Sequence, residues 1–230
     1  MNTHRARSLR LVAGAFGLLS LATLSSCGGS ICLGSDNCFD ESGAQTISIS
    51  GTAATGRALA SAIINIDCAD GGANAVSDSG GNYSATFVAL LPCVITATAG
   101  GATLHSAAFA GGTFNTTPET ELMLVYLASQ LGTDVGHLIA NFTSNGRYQQ
   151  TLESSTDVFA AQAAVVANLQ QQYKLTLGVP MFLTTSFTVG QAGIDSDLAA
   201  LAKAGAIDAN GMPDAQAVAL LSQAGAAHPL

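Results

Sequence analysis

The stretch AIINIDC, residues 62–68, alternates strictly: Ile64, Ile66 and Cys68 fall on one side of an extended chain, Asn65 and Asp67 on the other. Side chains of a strand point to opposite faces with period two, so this pattern marks a strand with one buried face. The stretch CVITATA, residues 93–99, does the same, with Cys93, Ile95 and Ala97 on one side. Each of the two cysteines therefore sits on a core face. That placement predicts two neighbouring strands stapled by a Cys68–Cys93 disulfide.

Further short apolar runs flank these two. QTISISG, NAVS, NYSATFVA, ATLHSAAFA and GTFNTT each have strand length and are separated by Gly, Asn or Asp. Seven such runs between residues 45 and 117 predict an antiparallel β-sandwich of about seven strands. From Thr117 the pattern changes to helical. Thr117 is a suitable N-cap, Pro118 suits the first helical position, and Glu119 would complement the positive end of the helix dipole. Leu122, Val125, Tyr126 and Leu127 supply a broad apolar face. A second helix is predicted over residues 156–173, where Val158, Ala161, Val165, Leu169 and Tyr173 form one stripe. Two shorter helices are expected near 195–204, ending at Gly205, and near 213–224, starting at Pro213. The expected fold class is thus α+β in two parts: the sandwich over 45–117 and a small helical region over 118–230.

The segment before the strands reads as an address. Residues 1–10 hold three arginines and no acid, and residues 11–24 are an apolar run. As a helix that run falls short of the roughly 30 Å hydrocarbon layer, so a secretory signal is expected rather than a stable span. It ends in Leu24, Ser25, Ser26 and Cys27, which resemble the bacterial lipobox. The resemblance implies a signal peptide over 1–26, cleavage before Cys27 and acylation of Cys27, with the lipid bilayer as partner. Two or three acyl chains hold a protein on a membrane stably, where one does so only marginally. Gly28 after the cysteine implies the outer membrane of a Gram-negative bacterium. Residues 27–44 are rich in Gly, Ser and Asp and read as a flexible tether. With Cys27 lipidated, four cysteines remain. In an oxidising compartment an even count favours disulfides, and the preferred pairing is Cys32–Cys38 with Cys68–Cys93.

The stretches ISGTAATGRALASAIINI, DSGGNYSATF and NTTPETEL together resemble the carboxypeptidase regulatory-like domain of bacterial surface proteins, with Asp78, Gly81 and Tyr83 matching its Asp-x-x-Gly-x-Tyr turn. The resemblance covers residues 49–122 and implies a transthyretin-like or Ig-type sandwich with an accessory or adhesive role. It carries no catalytic residues.

The chain's net charge of −8 sharpens to −11 once residues 1–26 are removed, because three of the seven basic residues lie there and none of the fifteen acids. Such a chain repels phosphate backbones, which excludes nucleic acid as a partner. GxSxG, HExxH, GxxxxGK[ST] and GxGxxG motifs are absent. Beyond the leader, His105, His137 and His228 lie far apart. Asp195 and Asp197 fit a helix start. Asp208, Asn210 and Gly211 hint at a calcium loop, but Ala217 stands where an EF-hand needs its Glu. No cofactor and no metal are expected. The chain reads as a non-catalytic envelope lipoprotein, a binding, adhesive or structural module whose partner is an envelope protein or a surface polymer. Two alternatives remain: a hydrolase built on Asp134, His137 and a hydroxyl, or an accessory subunit of a secretion or pilus-type assembly that docks through a sheet edge.

Overall fold

The computed structural model describes residues 43–230. The expected signal peptide, the tether up to residue 42, Cys27 and the Cys32–Cys38 pair lie outside the described residues. Among the described residues the fold is α+β, with one mixed sheet of five strands followed by six α-helices. The strands are β1 (Gln45–Thr52), β2 (Ile63–Val76), β3 (Asn82–Ala99), β4 (Ala102–Ala108) and β5 (Gly112–Thr113). The helices are α1 (Pro118–Gln130), α2 (Val135–Asn141), α3 (Gly146–Glu153), α4 (Ser155–Tyr173), α5 (Ile194–Ala204) and α6 (Ala215–Ala226).

β3 organises the sheet. Its first half pairs antiparallel with β1, from Thr52↔Asn82 to Gln45↔Ala89. Its second half pairs antiparallel with β4, from Cys93↔Ala108 to Ala99↔Ala102, and with β2, from Ile63↔Thr98 to Cys68↔Cys93. β5 runs parallel to β1, so the sheet is mixed rather than purely antiparallel.

The seven expected runs become five strands for two reasons. NYSATFVA and CVITATA are not separate; they are the two halves of β3, continuous through the Leu91–Pro92 peptide, which is cis. β2 contains both AIINIDC and NAVS, and it doubles back on itself. Fourteen extended residues would span about 45 Å. Yet Ser61 N–H donates to Ser77 O at 3.2 Å and Ser77 N–H to Ala62 O at 3.0 Å. These bonds centre the reversal near Ala69-Asp70, where the pairing with β3 shifts register, and Gly71 follows at φ 77°, where a side chain would be strained.

The core side read from the sequence is buried, and Val94 on the opposite side of β3 is buried as well. Ile64, Ile66, Cys68, Cys93, Ile95 and Ala97 are all buried, and Cys68 is disulfide-bonded to Cys93 directly across the β2–β3 ladder. The bridged cysteines are 25 residues apart, and closing a loop of that size stabilises by about 3 kcal/mol in the chain-entropy model. A Cys68→Ala/Cys93→Ala double variant is therefore expected to lose about 3 kcal/mol in urea denaturation. A midpoint unchanged from the wild type, with and without reductant, would show that the bridge contributes nothing.

α1 is the central helix. Thr117 caps it, with Thr117 Oγ1 accepting from Thr120 N and Thr120 Oγ1 from Thr117 N, a reciprocal capping box. Leu122, Met123, Leu124, Leu127 and Ala128 are fully buried, so α1 buries most of its circumference. It packs on β4, α4 and α6. At the α6 contact, a Cβ added to Gly225 would stand 2.3 Å from Tyr126 O, so only glycine permits this approach. α4, α5 and α6 occupy the expected stretches. α6 is capped by Asp214, whose side chain accepts from Gln216 N, rather than started by Pro213. α2 and α3 fall where no helix was expected.

The irregular segment 177–190 is anchored to the interior by the buried Leu177, Phe182 and Leu183, and backbone groups held there need partners. Polar side chains from separate elements supply them. Asn115 is fully buried; its Oδ1 accepts from Thr52 N at 3.2 Å, and its Nδ2 donates to Phe182 O and Thr185 O at 2.8 and 2.7 Å. Gln162 Oε1 accepts from Leu183 N at 2.9 Å. Both oxygens of Asp197 accept from the segment, from Gly178 N and Val179 N, each at 2.8 Å.

Candidate functional site

A groove of about 360 Å3 opens where α1, the start of α2 and α6 meet. Along α1, Glu121, Val125 and Ser129 follow at intervals of four residues and so share one face. Asp134 and Val135 close one end, and Met212, Pro213, Val218 and Ser222 form the opposite wall. Ser129 and Ser222 hydroxyls meet at 2.8 Å. The walls are apolar in the middle and carry a carboxylate toward each end.

Each carboxylate is held in place. Glu121 Oε2 accepts from the His105 backbone N–H at 2.7 Å and lies 2.8 Å from His105 Nδ1, so β4 fixes the α1 side chain. This pair is largely buried, at 19% and 14% side-chain exposure for His105 and Glu121. Asp134 is the N-cap of α2, its Oδ1 accepting from His137 N at 2.8 Å. Its Oδ2 lies 2.7 Å from His137 Nδ1, on open surface. The bond from the His137 amide holds the Asp134 carboxyl below its ordinary value, helped by the imidazole.

The groove gathers Asp134, Ser129 and Ser222, but His137 is not part of its walls. It therefore does not unite the imidazole with a hydroxyl. Among the described residues no group of three or more His, Cys, Asp or Glu side chains could hold a metal ion. His228 lies at the C-terminus, its carbonyl accepting from Gln130 Nε2.

Two Asp-Asn loops are self-contained turns. Asp78 Oδ1 accepts from Gly80 N and Asn82 N, and both its oxygens accept from Asn82 Nδ2. Asp208 Oδ1 accepts from Asn210 N and Met212 N. Those bonds lower both carboxyls' pKa, chiefly the Asn82 side chain for Asp78 and the Met212 amide for Asp208. Tyr83, in the expected turn motif, is buried and its hydroxyl donates to Phe114 O. Burial raises the pKa of its phenol well above the ordinary range.

Glu119 stands in the first turn of α1, as expected. Its place at a helix start does not show that it is fully buried there, with neither carboxyl oxygen hydrogen-bonded. Burial first, and the nearby Asp197 charge second, push its pKa well above the ordinary carboxyl range. The signal in the sequence is the apolar run LMLVYLA, residues 122–128, close behind it: a helix this apolar is buried around most of its circumference.

Comparison with protein-family models, with curated proteins and with solved structures gives no match.

Proposed function

We propose that this chain is a lipid-anchored module of the bacterial cell envelope that binds rather than catalyses, held on the outer membrane through acylated Cys27. The observation that carries the reading is LSSC, residues 24–27, placed directly after a basic segment and an apolar run. The Cys68–Cys93 disulfide supports it, because such bonds persist in the oxidising compartments to which a secreted chain is delivered. We further read the sheet as a carboxypeptidase regulatory-like sandwich in which the two limbs of β2 and the two halves of β3 stand for four of the seven runs.

Metabolic labelling with an alkyne palmitate tests the anchor. Wild type is expected to take up label and to fractionate with membranes, and Cys27→Ala to do neither. Equal labelling of the two would reject the anchor.

An accessory subunit docking through a sheet edge is a second reading, favoured by one observation. β2 is the terminal strand of the sheet, its return limb Ala73–Val76 is uncharged, and Val76 and Ile63 are 67% and 62% exposed.

A further inference from the structure

The geometry points to the groove between α1, α2 and α6 as a binding site for a linear alkyl polyamine, its terminal ammonium groups on Glu121 and Asp134 and its methylene chain on Val125, Val135 and Val218. This goes beyond the membrane anchor and does not depend on it.

Four features agree on the ligand's chemistry. Charge is the first: the groove has a carboxylate toward each end and neither lysine nor arginine in its walls. Glu121 spends only Oε2 on His105, which leaves Oε1 for a donor from the groove, while Asp134, whose two oxygens each meet His137, accepts through its remaining lone pairs. Length is the second. Glu121 and Ser129 are eight residues apart on one helix, a separation of about 12 Å, and Asp134 follows beyond the helix end. A compact cation cannot touch both ends, whereas a triamine of spermidine length can. Third, the wall between the ends is apolar, which suits methylenes, and the Ser129–Ser222 hydroxyl pair offers an acceptor for an amine. Fourth, α1 ends beside Ser129 with no basic residue in its last turn, so no lysine or arginine of that turn competes with a bound ammonium. The volume of about 360 Å3 lies within the range of small-molecule sites.

The test is calorimetric titration of spermidine into the full-length protein in non-ionic detergent at low salt. Asp134→Asn and Glu121→Gln are the variants, because Asn retains the α2 cap and Gln retains the acceptor for His105 N–H. Each is expected to weaken binding about 10–100-fold, the value of one charge-assisted hydrogen bond. Glu153→Gln, an acid outside the groove, is expected to leave affinity unchanged. Hexylamine, which has a single ammonium group, is expected to bind far more weakly than spermidine. Three results would overturn the assignment: no measurable spermidine binding, equal weakening by Glu153→Gln, which would show diffuse attraction to an acidic chain, or a dilysine peptide binding more tightly than spermidine. Thermal melts of each variant establish that it is folded, and either variant alone suffices to decide.

Discussion

Asn115→Leu is expected to destabilise the protein by about 3–5 kcal/mol in urea denaturation, a large loss for one surface-remote side chain. The reason is what the amide holds. It takes the N–H of Thr52 at the end of β1 and gives its own two hydrogens to Phe182 O and Thr185 O. Leucine has a similar volume and keeps the packing, but it leaves these three backbone groups without partners. A buried polar group left unpaired costs about 1–3 kcal/mol. The Asn115 backbone N–H still donates to Leu183 O at 2.7 Å, so part of the attachment survives. Local readouts should agree with the global one: amide exchange at Thr52 and proteolysis within 177–190 should both speed up. A variant whose midpoint stays within 1 kcal/mol of wild type, on the ordinary scale of surface substitutions, would show that water replaces the amide in this role.

Asn115 also illustrates what a sequence can and cannot disclose. Its neighbours Thr117 and Pro118 announced a helix start through local chemistry alone, and the structure caps α1 there. The alternation of AIINIDC and CVITATA likewise disclosed the buried faces and the Cys68–Cys93 pair, because period two is a local property. Local signals failed where partners are distant. Nothing around Asn115 says that its side chain meets residues 182 and 185. Nothing in NYSATFVA and CVITATA says that β3 continues through Pro92, since proline usually ends a strand inside a sheet. The helices α2 and α3 were hidden by Gly136, Gly146 and several asparagines, all weak helix formers. They form because Asp134 and Asn145 cap them and because Leu138, Phe142 and Leu152 of this stretch are buried. The groove comes from three segments, 121–129, 134–136 and 212–222, and so has no linear signature at all.

The wild type is expected to lose stability as pH rises above about 4.5, and Glu119→Gln to remove that dependence. The sign follows from the direction of the shift. In the unfolded chain the carboxyl ionises near its ordinary value of 4.5, while in the folded chain burial and Asp197 raise its pKa well above that. Below about pH 4.5 both states carry the proton and the group contributes no slope. Above it the unfolded state releases the proton and the folded state keeps it, so folding takes up one proton. Stability then falls as pH rises, by about 1.4 kcal/mol per pH unit, until the folded carboxyl itself ionises. The exposed carboxyls of Asp78, Asp134 and Asp208 act in the opposite sense and in another window. Their folded pKa values are lowered, so their contribution is present above about 3.8 and fades as pH falls through the folded values. Glutamine cannot ionise, and its amide fills the same space, so the variant should diverge from wild type progressively above pH 4.5 and become the more stable of the two. Urea titrations at intervals from pH 4 to pH 8 measure the difference directly, with the contributions of the shared aspartates cancelling. Parallel profiles would mean that the folded carboxyl finds a partner, or a way out to water, before it must give up its proton.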